Sequence, residues 1–134
     1  MNEFEFNVRV YYEDTDAVGV VYYANYLKFM ERARTEWLRA LGFEQSTLKV
    51  EHNFLFVVRH INVDYHKPAL FDDLLTIKTR LHKLGKASMS MFQSIQRDSV
   101  VLSQGTIRLA GIDASTMRPK AFPAVLLKEL QAYE

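Results

Sequence analysis

Glu13, Asp14 and Asp16 lie close together in the stretch from Tyr11 to Tyr26, which also holds Gly19, Tyr12, Tyr22 and Tyr23. A strongly helical pattern follows at once. A helix N-terminus presents unpaired N–H groups and roughly half a positive charge. A carbonyl oxygen held there would be polarised as in an oxyanion hole, where losing one donor typically costs about 3–4 kcal/mol of transition-state stabilisation. A carboxylate nearby would attack the carbonyl carbon or deprotonate water. Gly19 would let the backbone turn tightly and approach a ligand. These parts suit acyl transfer to water.

Other readings fit the same residues. Acidic side chains before a helix complement its dipole, a gain of about 0.3–1 kcal/mol, and this alternative stays open on the residues alone. Asp14-x-Asp16-x-Val18-Gly19 begins like a calcium loop, but Val18 takes its fifth position and Asn25, rather than Glu, its twelfth. An Asp-x-Asp after a strand also resembles haloacid-dehalogenase-type phosphatases. Those need repeated strand–helix alternation, which this chain lacks.

The elements that must position the loop follow from periodicity. Phe4, Phe6, Val8 and Val10 alternate with polar residues, predicting a half-buried strand. Asn25 is the expected N-cap of a helix over residues 26–41. Tyr26, Phe29, Met30, Ala33, Trp37, Ala40 and Leu41 fall within about 120° at about 100° per residue, a stripe wide enough for a core. Gly42 suits a left-handed C-cap. A short helix or turn is expected over residues 45–51.

Four strand-like runs come next, near residues 55–65, 75–82, 87–96 and 101–109. The odd positions of the first (Leu55, Val57, Ile61, Val63, Tyr65) are apolar except Arg59. Short connections at residues 84–86 and 97–99 predict antiparallel hairpins, and the four runs read as a meander. Pro123 suits the first turn of a helix over residues 124–133. One long helix and about five strands predict an α+β domain spanning residues 1–134, with an antiparallel sheet wrapped around the helix.

Bulk properties narrow the function. The chain has 134 residues, 49% of them hydrophobic, and a net charge of +1, which supplies no bulk field for nucleic acid or an anionic membrane. Cysteine is absent, which removes disulfides and thiolate catalysis. No signal peptide or membrane span is visible, so a cytoplasmic protein is expected.

The run from Val10 to Leu41, with Tyr-Glu-Asp-Thr-Asp-Ala-Val-Gly-Val-Val-Tyr and Ala-Asn-Tyr-Leu-Lys-Phe-Met-Glu-Arg-Ala-Arg-Thr-Glu, resembles the hotdog-fold acyl-CoA thioesterases. Within them it is most similar to the Tol-Pal-associated branch of the 4-hydroxybenzoyl-CoA thioesterase family. The likeness continues through Asp64-Tyr65, Pro68-Ala69 and Asp73-Leu74-Leu75 to Met117-Arg118-Pro119 and Ala121-Phe122-Pro123. The resemblance implies the hotdog fold, hydrolysis of a short aliphatic or aromatic acyl-CoA, and homodimers or homotetramers with interface active sites. It implies no cofactor and no metal. It maps the catalytic aspartate onto Asp16, the carbonyl-polarising amide onto the backbone N–H of Tyr23, and an assisting tyrosine onto Tyr12. Members of this branch commonly carry histidine where Tyr23 stands, whereas the 4-hydroxybenzoyl enzyme resembles this chain in having tyrosine. That substitution motivates an alternative, a protein that binds acyl carrier protein or envelope-assembly partners with weak or vestigial hydrolysis.

Lys83 and Lys86 flank Gly85 in a hairpin that resembles the family's nucleotide-contacting region, and they are candidate partners for coenzyme A phosphates. Arg59 and Lys67 are weaker candidates. Gly19, Tyr22 and Tyr23 are expected against the substrate, with Phe29 as a further acyl-channel candidate. Glu31–Arg34 and Glu36–Arg39 have i,i+3 spacing for ion pairs. His52, His60, His66 and His82 show no metal-like spacing.

Overall fold

The computed structural model describes residues 3–134, so Met1 and Asn2, at the start of the expected leaderless N-terminus, lie outside it. Five strands make one antiparallel sheet: β1 (Glu3–Arg9), β2 (Phe54–Tyr65), β3 (Leu74–Leu84), β4 (Ser88–Arg97) and β5 (Val100–Asp113). Three helices accompany it: α1 (Tyr23–Ala40), α2 (Gln45–His52) and α3 (Ala124–Gln131). This is the α+β arrangement that the hotdog resemblance implies.

The strand order is β1-β3-β4-β5-β2, which corrects the expected meander. The hairpins β3–β4 and β4–β5 form as their short turns require. β2, however, crosses to the far edge and pairs with β5, while β1 takes the place beside β3. The β2–β3 connection is long enough for this crossing, and its Ala69 is buried beneath the start of α1.

α1 packs against β1, β3 and β4 through an apolar stripe whose Phe29, Met30 and Ala33 are completely buried. The stripe is shifted from the expected one: Leu38 is buried, whereas Ala40 is exposed. Trp37, Phe54, Ile77, Met89, Met91 and Ile107 belong to the same cluster. Burying one such large apolar side chain contributes about 1.5–3 kcal/mol.

The strand parity of β2 also needs correcting. Its register against β5 shifts between Val58 and His60, leaving Arg59 as the extra residue of a β-bulge. Leu55 and Val57 pair with Ile112 and Ala110, but Ile61 and Val63 pair with Ile107 and Gly105. The bulge therefore sends Leu55 and Val57 to the face opposite Ile61 and Val63. A strict period of two cannot survive an inserted residue.

Candidate active site

The acidic stretch folds into a 3₁₀ turn, Tyr12–Asp14, followed by a tight turn over residues 16–19. In the second turn the Gly19 N–H donates to the Asp16 carbonyl at 3.0 Å, and the Asp16 N–H donates to the Val20 carbonyl at 2.9 Å. Gly19 has φ 90°, a conformation that its lack of a Cβ permits. One oxygen of the exposed Asp16 carboxylate accepts the Val18 N–H at 2.9 Å, an Asx turn. Thr15 and Val21 then bridge, and the Val21 N–H donates to the Ala69 carbonyl at 2.9 Å. The loop is thus pinned to the β2–β3 connection.

Its other anchor is Asp14, only 6% exposed. Asp14 Oδ2 accepts the Tyr11 N–H and Oδ1 accepts the Asn25 side-chain N–H, both at 2.9 Å. Its carbonyl accepts the Tyr22 N–H at 2.9 Å. Of three carboxylates close in sequence, Asp14 is buried and structural, whereas Glu13 and Asp16 are both exposed.

The start of α1 differs from the expected one. Tyr22 is the N-cap, in extended backbone, and among the described residues no side chain caps the helix. Asn25 lies within the first turn, and its N–H bonds the Tyr22 carbonyl at 2.8 Å. Its side chain faces Asp14 and so holds the loop instead of capping the helix. Tyr23 and Ala24 accordingly head the helix among its unpaired amides.

Tyrosines gather around this terminus. The rings of Tyr22 and Tyr23 lie 4.7 Å apart, and Tyr65, at the end of β2, meets Tyr23 and Tyr26 edge-on. The Tyr65 hydroxyl donates to the Tyr23 carbonyl at 3.2 Å. The Tyr26 hydroxyl accepts the Ala69 N–H at 2.9 Å. Tyr23 itself is 61% exposed. Partial burial pushes the Tyr65 phenol above its ordinary value, with Tyr23 and Tyr26 adding to the shift. The neighbouring Tyr23 hydroxyl, by hydrogen bond and by charge, raises the Tyr22 phenol. Both favour the neutral hydroxyl.

The remaining candidates lie in other places. Tyr12 is exposed and stacks on Phe71 at 4.1 Å, apart from the Tyr22–Tyr23–Tyr65 group. Lys83 lines a recess of about 270 Å³ with Ser88, Ser90 and Arg108, while Lys86 is exposed in the same hairpin and does not line it. Arg108 went unnoticed in the sequence because the register, not local spacing, sets it opposite Ser90. Phe29 is fully buried in the core rather than in an open channel. Glu36 pairs with Arg39 at 3.3 Å as expected. Glu31 instead accepts the Thr35 hydroxyl, and Arg34 turns inward. Among the described residues no His, Asp or Glu cluster is arranged to hold a metal ion, and no helix is long and apolar enough to cross a membrane.

Comparison with known proteins agrees with this architecture. Acyl-CoA thioesterase YbgC of Haemophilus influenzae is 47% identical over 131 residues, covering 98% of this chain and 93% of the relative. Acyl-CoA thioester hydrolase YbgC of Escherichia coli is 41% identical over 129 residues, covering 96% of each. The crystal structure of a probable thioesterase from Bartonella henselae superimposes with a TM-score of 0.87 at 41% identity, covering 91% of this chain and all of the other. The family profile matches residues 10–130, and with this sheet, this helix and these relatives the chain belongs to the Thioesterase-like superfamily.

Proposed function

We propose that this chain hydrolyses acyl-CoA thioesters to a free acid and coenzyme A, working as one hotdog domain over residues 1–134. The observation that carries this reading is the uncapped start of α1 at Tyr22 and Tyr23, reached from the Asp16 turn through a loop pinned at both ends. Unpaired amides and an accessible carboxylate are what a tetrahedral oxyanion and an attacking group require. Both relatives compared above carry the activity in their names.

In this scheme the thioester oxygen accepts from the Tyr23 N–H as it gains charge. Asp16 acts in one of two ways. As nucleophile it adds to the carbonyl carbon and expels the thiolate, and water then cleaves the resulting anhydride. As general base it takes a proton from water, whose oxygen adds instead. Both routes consume one water and release one acid and one thiol. Gly19 and Tyr22 border the reacting group, and Tyr12 assists from the preceding turn. Lys83 and Lys86 meet the phosphates of coenzyme A, with Arg108 beside Lys83 as a third cation. A homodimer or homotetramer in the cytoplasm completes the reading; for the assembly, the support is the outer edge of β2, which among the described residues has no further strand beside it.

The test is a steady-state panel of short aliphatic and aromatic acyl groups, each carried on coenzyme A and on acyl carrier protein. Turnover on the coenzyme A series supports hydrolysis. Negligible rates throughout, beside tight binding of the carrier protein, refute it in favour of a binding protein.

A further inference from the structure

Arg34 stands on the buried side of α1 and is only 7% exposed. Burying a guanidinium is costly unless its charge and its donors find partners. Its Nη1 donates to Gln93 Oε1 at 3.0 Å. Gln93 Nε2 in turn donates to the Met30 carbonyl at 3.0 Å and to the Thr79 hydroxyl at 2.9 Å. Those two acceptors fix the amide so that its oxygen, a neutral group, faces the arginine. Among the described residues Arg34 has no carboxylate within ion-pair distance, since the acceptor pairs there belong to Arg39, Arg97 and Lys120. Burial holds the guanidinium below its ordinary value, and the charge of Glu31 offsets this in part.

A guanidinium has five donors, and one bond leaves most of them unused. No fully enclosed side-chain nitrogen among the described residues lacks a partner. The guanidinium nitrogens that do not bond Gln93 are therefore not fully enclosed, and Arg34 lines a cavity of about 440 Å³. Leu38, Phe56 and Leu109 give that cavity an apolar wall. Arg39 and Glu44 at its rim already pair with each other at 3.1 Å.

We infer that the cavity between α1 and β2 is a binding site for a small organic monocarboxylate, its carboxylate on the Arg34 guanidinium and its hydrocarbon body against Leu38, Phe56 and Leu109. The planar fork of arginine matches a carboxylate, and the volume falls in the range of small-molecule pockets. Glu31 and Glu44 at the rim oppose a more highly charged anion. Arg34 is eleven residues beyond Tyr23, about 16 Å along the helix at about 1.5 Å per residue. The site is thus separate from the proposed reacting carbonyl and does not rest on the hydrolytic reading.

The experiment is calorimetric titration of the full chain with hexanoate and with benzoate. Wild type is expected to bind, and Arg34→Gln to bind about tenfold to a hundredfold more weakly, the loss appropriate to a hydrogen bond with a charged group. Glu31→Gln removes an exposed negative charge near the guanidinium and is expected to tighten binding. It also decides the matter should Arg34→Gln fail to fold in a thermal melt. Absence of binding by wild type overturns the inference, including the case in which a second copy of the chain fills the cavity. Equal binding by folded Arg34→Gln, or no tightening in Glu31→Gln, overturns it as well.

Discussion

Replacing Asp16 by asparagine separates the two jobs its side chain can do. In the fold, one carboxylate oxygen accepts the Val18 N–H at 2.9 Å and helps to close the turn that ends at Gly19. Asparagine keeps that acceptor, since its side-chain carbonyl forms the same Asx turn. Asp16 is exposed and has no other element to hold, so Asp16→Asn is expected to change stability by no more than about 0.5 kcal/mol. The chemistry should respond quite differently. An amide neither attacks a thioester nor takes a proton from water at neutral pH. A positioned acid or base typically contributes about 10²- to 10⁴-fold in rate. That is about 3–5 kcal/mol of barrier. Thiol release from an acyl-CoA, followed with a thiol-reactive dye, reports the loss, and urea unfolding reports the stability. Asp16→Ala serves as a contrast, because it removes the turn acceptor as well and should lose both. Folded Asp16→Asn with parental turnover would show that Asp16 is a turn former and nothing more.

Other perturbations test the surroundings. Asn25→Leu strips a donor from the buried Asp14 carboxylate and is expected to cost about 1.5–3 kcal/mol; a parental urea midpoint would show that the Asp14 anchor does not matter. Gly105→Ala puts a Cβ 2.3 Å from the Asn62 carbonyl oxygen and 2.8 Å from Val63 Cγ2, both on β2. Overpacking of this kind costs about 1–3 kcal/mol or more, and unchanged thermal stability would refute the register. Tyr65→Phe removes the bond to the Tyr23 carbonyl, with an expected loss of about 0.5–1.5 kcal/mol. The Tyr65 phenol is raised in the folded chain, so its contribution is fully present below the unfolded value and fades as pH rises through the folded one. The variant should therefore lose less stability than wild type across the alkaline range, and identical alkaline unfolding curves would contradict this.

The long helix, the five strands and the C-terminal helix were legible because hydrophobic periodicity reports which face is buried. The partner of each strand was not. Nothing in the sequence around Phe54–Tyr65 says that β2 pairs with β5, across the sheet from its neighbour β3. An inserted residue at Arg59 also breaks the very pattern from which faces are read. Arg34 illustrates the same limit. Its i,i+3 spacing from Glu31 suggested an ion pair, but the choice between that partner and Gln93, fifty-nine residues on, belongs to tertiary packing.

For the candidate site the decisive detail was where the helix starts. With Asn25 as N-cap, the Tyr23 amide would fall outside the helix and have no share in its positive end. With Tyr22 as N-cap, Tyr23 becomes the first helical residue and its N–H one of the unpaired donors. The shift comes from competition for the Asn25 side chain. A neutral backbone N–H and a buried carboxylate both want it, the first as acceptor and the second as donor. A hydrogen bond to a charged group is worth about 1.5–3 kcal/mol, whereas losing a cap costs typically about 1 kcal/mol. Asp14 therefore wins, and the Asn25 side chain stays on the loop. On this account Asp14 supports the proposed chemistry without touching it. Its buried carboxylate ties the loop to the first turn of α1 through Asn25, and a reading of the acidic cluster as mere dipole complementation has no place for that anchor.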